Sequence, residues 1–136
     1  MKIIYVLIFQ MTVCISLYAQ TDSARKSAAA KDSVLTHVEE ESYFPGGANA
    51  WIRFLNNNLT YPNKAVRKQI EGTVIVQFIV ENDGTLSNIE AISGPELLQS
   101  AAVDIFKYSP RWKPAIQDGR IVKSYKKQPI TFKLKP

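Results

Sequence analysis

The side chains that most often carry out catalysis or bind metals are scarce in this chain. It has one histidine, His37, and one cysteine, Cys14. Nucleophilic and general acid–base catalysis need positioned, coupled groups, and metal sites need clusters of His, Cys or carboxylate ligands. The acidic residues Glu71, Glu81 and Glu90 are explained as charges at strand ends or on the solvent face. The sequence therefore predicts a protein that is not an enzyme and that has no catalytic residues, metal site or cofactor.

The most informative charge feature is a basic C-terminal third. Residues 107–136 contain nine Lys or Arg side chains and one acidic residue, Asp118, whereas residues 21–106 contain seven basic and eleven acidic side chains. The basic residues are not organised as a recognition helix, so nucleic-acid binding is not predicted. They could keep an exposed strand soluble, or they could attract an acidic partner. Both interpretations remain open.

The first 20 residues have the layout of a secretory signal peptide. Lys2 precedes a short apolar run, and the small residue Ala19 lies at its polar end. Polar residues interrupt this run, whereas a membrane-spanning helix needs about 20 consecutive apolar residues. We predict cleavage near Ala19 or Gln20 and a place in the periplasm or cell envelope. An uncleaved segment that anchors the chain in the inner membrane is the alternative.

The remaining chain divides into a linker and one globular domain. Residues 21–42 contain almost no large apolar side chains, so they are predicted to be a flexible linker. The domain is predicted over residues 43–136. Within it, apolar residues recur at helical spacing over residues 48–57 and 95–107, and a further short helix is expected to begin at Pro62.

A β-hairpin is predicted in the middle of this domain. Apolar and polar residues alternate from residue 72, and Asp83-Gly84 supplies a turn before a second strand over residues 85–92. Ile75 and Ile79 make the opposite face of the first strand partly apolar. The first strand is therefore expected to be central in its sheet.

A last extended stretch is predicted over residues 120–134. Pro129 has no N–H to donate, so it is confined to a sheet edge or a bulge. We expect a bulge between Tyr125 and Pro129, which would place the apolar residues on one face. The order of elements predicts an α+β fold: a two-layer domain in which a three-stranded antiparallel sheet packs against helices.

Taken in order, these residues resemble the C-terminal domain of TonB-type energy transducers, in the form found in Bacteroidetes. The order and spacing of many small motifs carry the resemblance. The motif residues are Tyr61, Pro62, Gly72, Asp83, Gly84, Pro110, Trp112 and Pro114. Each also has a structural interpretation: Gly72 starts a strand at a close approach, Trp112 covers the end of the core, and Pro114 keeps its neighbourhood extended.

The resemblance implies that the domain binds a peptide. TonB-type domains capture a short extended segment, the TonB box of a TonB-dependent outer-membrane receptor, by adding it as a strand to the sheet edge. Such strand addition gains its affinity from main-chain hydrogen bonds. The candidate partner-binding residues lie on the predicted edge strand: Arg120, Ile121, Val122, Lys123, Ser124, Tyr125, Lys126 and Lys127.

Three functional hypotheses remain. A conventional transducer needs a membrane anchor and a long spacer, but residues 21–42 span about 75 Å at most, at roughly 3.4 Å per residue. The favoured hypothesis is therefore a periplasmic TonB-like peptide-binding module. The alternative is a membrane-anchored energy transducer for TonB-dependent transport, which could join an inner-membrane complex. A self-associating structural domain, forming a homodimer through its edge strand, is the third.

Overall fold

The computed structural model of this chain describes residues 33–136. The predicted signal peptide, its cleavage site and most of the predicted linker lie outside the described residues. Val34–Pro136 is assigned to one compact unit. This unit therefore includes the last part of the predicted linker as well as the predicted domain.

Helices form where apolar side chains recur at helical spacing. Helix α1 spans Gly47–Asn58 and helix α2 spans Asn63–Arg67, with Pro62 immediately before the first turn of α2. Helix α3 spans Glu96–Asp104 and continues as a 3₁₀ helix over Ile105–Tyr108. All three α-helices agree with the sequence predictions to within a few residues.

The main sheet has three antiparallel strands. Strand β1 spans Gly72–Val80, β2 spans Leu86–Ser93 and β5 spans Ser124–Phe132, in the order β2-β1-β5. The predicted α+β fold and the central position of β1 are confirmed. The pairing of β1 with β5 is unbroken, whereas its pairing with β2 has two register shifts.

The helices cover one face of this sheet and enclose the core. Alternate residues of β1 are fully buried there, and Phe78 lies 4.8 Å from Phe106 and 5.1 Å from Trp112 between ring centroids. Ile130 and Phe132 contribute the buried apolar side chains of β5. Because burial of apolar area is the main favourable term in folding, these buried side chains and the unbroken pairing with β1 together hold β5 in the sheet.

A second, smaller hairpin was not predicted. Strand β3, Ala115–Gln117, pairs with β4, Arg120–Val122, so the predicted stretch over residues 120–134 is two strands rather than one. The turn residues Asp118 and Gly119 both have positive φ angles, 52° and 71°. Such angles suit a tight two-residue hairpin turn.

The predicted bulge in the last strand is wrong. The register of β5 on β1 contains no shift between Tyr125 and Pro129. The prediction assumed that all large apolar residues of the stretch are buried, but Ile121 is 56% exposed and Tyr125 is 39% exposed. Val66 of α2 is likewise 42% exposed, while its neighbour Ala65 is fully buried.

Candidate functional site

The outer edge of β5 carries main-chain groups that no strand of the sheet pairs. Alternate residues of an antiparallel strand direct their N–H and C=O groups to opposite sides. Tyr125 donates its N–H outward to Leu35 at 2.9 Å, so Lys127, Pro129 and Thr131 also direct their main-chain groups outward. Within residues 33–136, none of these three main chains has a partner. These three residues therefore offer two N–H donors and three C=O acceptors, since proline has no N–H.

The opposite edge of the sheet is less regular. The pairing of β2 with β1 shifts register between Ile75 and Val76 and again between Gln77 and Ile79. Asn88 of β2 has a left-handed φ of 49°. Bulges and local twist make an edge a poorer template for an added strand. The edge of β5 is thus the better candidate for strand addition.

A cleft of about 480 Å³ lies beside the first half of β5. This volume falls in the range of about 300–1,000 Å³ that is typical of ligand sites. The cleft is lined by Thr36, His37, Val38, Glu41, Ser42, Gln77, Ser124, Tyr125, Lys126 and Lys127. One wall therefore comes from β5 and the other from the segment that precedes the predicted domain.

That segment, residues 34–42, is called the arm here. Leu35 pairs with β5 in parallel: it donates its N–H to the Lys123 carbonyl at 3.0 Å and accepts the Tyr125 N–H at 2.9 Å. Further along, Glu40 exchanges two main-chain hydrogen bonds with Ile116 of β3 at 2.9 and 3.0 Å. The arm, which the sequence places in the flexible linker, therefore contacts the sheet edge and the small hairpin.

Two of the basic side chains on this edge already have acidic partners. Lys126 Nζ donates to Glu41 Oε2 at 2.6 Å, and Lys123 Nζ lies 3.3 Å from Glu81 Oε2. The hydrogen bond and the charge of Lys126 hold the pKa of Glu41 below its usual range. Lys127, in contrast, has no ion-pair partner in the described part of the chain. It is therefore available to an incoming acidic group.

The predicted partner-binding residues are divided between two strands. Arg120, Ile121 and Val122 belong to β4 in the small hairpin, and Lys123 links it to β5. The other four residues begin β5 and line the cleft: Ser124, Tyr125, Lys126 and Lys127. Ser124 is buried, and its Oγ lies 3.5 Å from Ser42 Oγ.

Sequence reasoning missed the arm as part of this site. The apolar residues Val34, Leu35 and Val38 are the signal that could have revealed it, because they interrupt an otherwise polar segment. The second half of the edge, with the outward main chains of Pro129 and Thr131, was also absent from the prediction. Strand parity would have added these two residues if no bulge had been expected between Tyr125 and Pro129.

The motif residues in the N-terminal part of the domain make contacts between its helices and strands. Tyr61 donates its hydroxyl to the Ile70 carbonyl at 2.5 Å, and its ring packs edge-on against Phe132 at 5.4 Å. Burial, with a smaller effect of the Glu71 charge, raises the pKa of Tyr61. Gly72 passes so close to Pro95 that a Cβ would lie 2.8 Å from the proline ring. Pro62 precedes α2, as described above.

The other motif residues organise the hairpin turn and the chain that covers it. Asp83 accepts hydrogen bonds from the N–H and hydroxyl of Thr85 at 3.0 and 2.6 Å, which hold the pKa of Asp83 below its usual range. Gly84 accepts the N–H of Trp112 at 2.9 Å, and the indole N–H donates to Ser109 Oγ at 2.9 Å. Pro110 and Pro114 flank Trp112 on its extended chain. None of these motif residues lines the cleft.

Two features are absent from residues 33–136. No three His, Cys, Asp or Glu side chains in this part of the chain are grouped so that they could hold a metal ion. None of its helices has the length and apolar character that crossing a membrane requires.

Comparison with known proteins identifies a family. The model of the Gram-negative bacterial TonB protein C-terminal family matches residues 57–134. Among solved structures, the chain is similar to the NMR solution structure of the Helicobacter pylori TonB C-terminal domain, with 24% sequence identity and a TM-score of 0.49. That similarity covers 68% of this chain and 88% of the other. No curated protein matches the chain.

Proposed function

Because the chain belongs to the TonB C-terminal family, whose members interact with outer-membrane transporters, we propose that its folded domain binds an extended transporter segment by strand addition at β5. The observation that carries the proposal is the unpaired outward main chain of Lys127, Pro129 and Thr131. Strand addition uses such groups for affinity and neighbouring side-chain pockets for specificity. The open edge supplies the main-chain groups, and the cleft beside it supplies a side-chain pocket.

The expected affinity is low. A main-chain hydrogen bond contributes about 0.5–1.5 kcal/mol net, and the open part of the edge has only two N–H donors, Lys127 and Thr131. Ordering a flexible peptide opposes this gain. Weak and reversible binding therefore suits the geometry, and an acidic segment is favoured because Lys127 lies unpaired beside the cleft.

The family assignment points to the cell envelope, and we place the domain in the periplasm as a soluble or loosely attached binding module. The alternative is an energy transducer that keeps residues 1–20 as a membrane anchor. N-terminal sequencing of the protein from fractionated cells separates the two. A mature chain that begins near Gln20 or Thr21 excludes the anchored form.

The binding proposal is tested by NMR titration. A ¹⁵N-labelled protein is titrated with a synthetic TonB-box peptide. The control peptide has the same length, but alternate residues are replaced by proline, so that it cannot pair as a strand. We expect amide shifts concentrated at Tyr125, Lys127 and Thr131, and none with the control. Shifts that spread evenly or fall mainly on α3 would contradict strand addition at β5.

A further inference from the structure

The arm occupies part of the edge that strand addition needs. Leu35 holds the Lys123 carbonyl and the Tyr125 N–H, and both groups belong to the outward side of β5 and the chain entering it. A peptide that paired along the whole edge would use these same two groups. The arm and the peptide therefore cannot pair with this end of the edge together.

The rest of the edge is a poor substitute for the part that Leu35 covers. Pro129 interrupts the series of donors, so Lys127 and Thr131 are the only outward N–H groups beyond Tyr125. Release of Leu35 would add the Tyr125 N–H and the Lys123 carbonyl. Since main-chain hydrogen bonds supply the affinity, a partner binds most tightly when the arm is released from the edge.

A second contact holds the arm across the cleft. Glu41 accepts a 2.6 Å hydrogen bond from Lys126, and the Glu41 side chain is 76% exposed whereas Lys126 is 20% exposed. The lysine is thus fixed beside the cleft, while the carboxylate approaches it from the solvent side. An acidic residue of another peptide could approach Lys126 in the same way.

We propose that the arm is an intramolecular competitor for the β5 edge, and that a transporter segment binds fully only after displacing it, with an acidic residue of the segment replacing Glu41 at Lys126. This inference rests on the proposed function. The arm is tethered, and Glu40 also bonds to β3, so the effective concentration of the arm at the edge is high. Its contacts with β5 and the chain entering it are the two main-chain bonds at Leu35, the Glu41–Lys126 ion pair and a 3.5 Å contact between Ser42 and Ser124. These contacts are few enough for a peptide to displace.

Two variants of the full chain test this competition. Leu35→Pro removes the N–H that Leu35 donates to Lys123, and Glu41→Gln removes the charge that pairs with Lys126. Glu40→Gln is the matched control, because it changes the adjacent charge without removing a side-chain contact of the described structure. The probe is the synthetic TonB-box peptide, and its dissociation constant is measured by isothermal titration calorimetry.

We expect Leu35→Pro and Glu41→Gln each to tighten binding by about threefold to tenfold, the equivalent of one hydrogen bond, and Glu40→Gln to match the wild type. A second measurement needs no transporter peptide: hydrogen exchange of the Tyr125 amide. This amide is expected to be protected in the wild type and to exchange faster in both variants. A synthetic peptide of residues 34–42, added to Leu35→Pro, should restore its protection.

The outcomes distinguish the inference from the function on which it rests. If Tyr125 exchanges faster in the variants but the TonB-box peptide binds wild type and variants equally, the competition is refuted and strand addition stands. An unprotected Tyr125 amide in the wild type also refutes the competition. If the peptide binds none of the proteins while Tyr125 behaves as expected, strand addition of a transporter segment is refuted, and the proposed competition with it.

Discussion

Gly84, in the turn between β1 and β2, has less room for a side chain than any other glycine of this domain. Its φ is +85°, and a Cβ built there would lie 2.1 Å from the main-chain oxygen of Trp112. The Gly84 carbonyl also accepts the Trp112 N–H at 2.9 Å. The turn and the chain that carries Trp112 over the core therefore depend on each other through one residue without a side chain.

Gly84→Ala is expected to destabilise the domain strongly. A left-handed backbone costs a residue with a side chain about 1–3 kcal/mol, and the clash with Trp112 adds to this cost. Gly119→Ala is the matched control, since its φ is +71° but nothing lies within 4 Å of the added Cβ. Urea unfolding followed by tryptophan fluorescence measures both. Equal losses of unfolding free energy would show that the contact with Trp112 contributes nothing.

The ion pair of Glu41 gives the arm a dependence on pH. Lys126 lowers the pKa of Glu41 from its ordinary 4.5, mainly through the hydrogen bond and then through its charge, and His37 adds a smaller effect. A carboxyl with a lowered pKa in the docked state stabilises that state above its ordinary pKa, and the stabilisation is lost as pH falls through the lowered value.

Acidification below about pH 4.5 is therefore expected to weaken docking of the arm. The amide shift of Tyr125, which reports the bond to Leu35, is followed by NMR across this range, with Glu41→Gln as the control. The variant should lack the acidic step because glutamine does not titrate. An identical step in both proteins would assign the change to another carboxyl.

Strand β5 has an accessible edge, and Pro129 limits the pairing of other strands with that edge. Pro129 lies in the middle of the open half and pairs with Ile75 on its inner side. Because its ring replaces an outward N–H, proline here does not interrupt the bonds to β1. Natural proteins use proline on exposed edges to prevent strands from pairing with copies of themselves.

Pro129→Ala is expected to strengthen the pairing of other strands with this edge. The substitution adds a third outward donor, worth about 0.5–1.5 kcal/mol net, so the TonB-box peptide should bind about threefold to tenfold tighter. Self-association of the domain should increase as well, which sedimentation velocity would detect. Pro110→Ala, at an exposed proline outside the strands, is the control. Unchanged peptide affinity and unchanged sedimentation would argue against pairing at this edge.

The sequence predicted well those elements that are determined by their own pattern of apolar and polar residues. The alternation along β1 and the Asp83-Gly84 turn locate the main hairpin, and the apolar residues at helical spacing locate α3. The pairing of Arg120–Val122 with β3 could not be predicted in this way, because it depends on the turn at Asp118 and on tertiary contacts. The arm was missed for the same reason: the position of Leu35 is determined by its hydrogen bonds to the edge of the sheet and not by the residues next to it in the sequence.

Within residues 33–136, positive charge is concentrated where the proposed partner would approach. The basic third of the sequence includes β5, but Lys123 and Lys126 are already paired. Lys127 therefore contributes unpaired positive charge beside the cleft. Complementary charge at the rim of a site mainly accelerates encounter, and its effect decreases with salt.

Association of an acidic TonB-box peptide is therefore expected to slow as ionic strength rises from about 0.01 to 0.15 M, where the screening length shortens from about 30 to 8 Å. Lys127→Glu should lower the association rate and flatten this salt dependence, while the dissociation rate changes less. Lys68→Glu makes the same charge change at the end of α2, away from the cleft, and stopped-flow fluorescence compares the two. If both variants slow association equally, net charge rather than the β5 edge guides the peptide. A larger effect at Lys127 would instead locate the encounter at the edge that the arm partly covers.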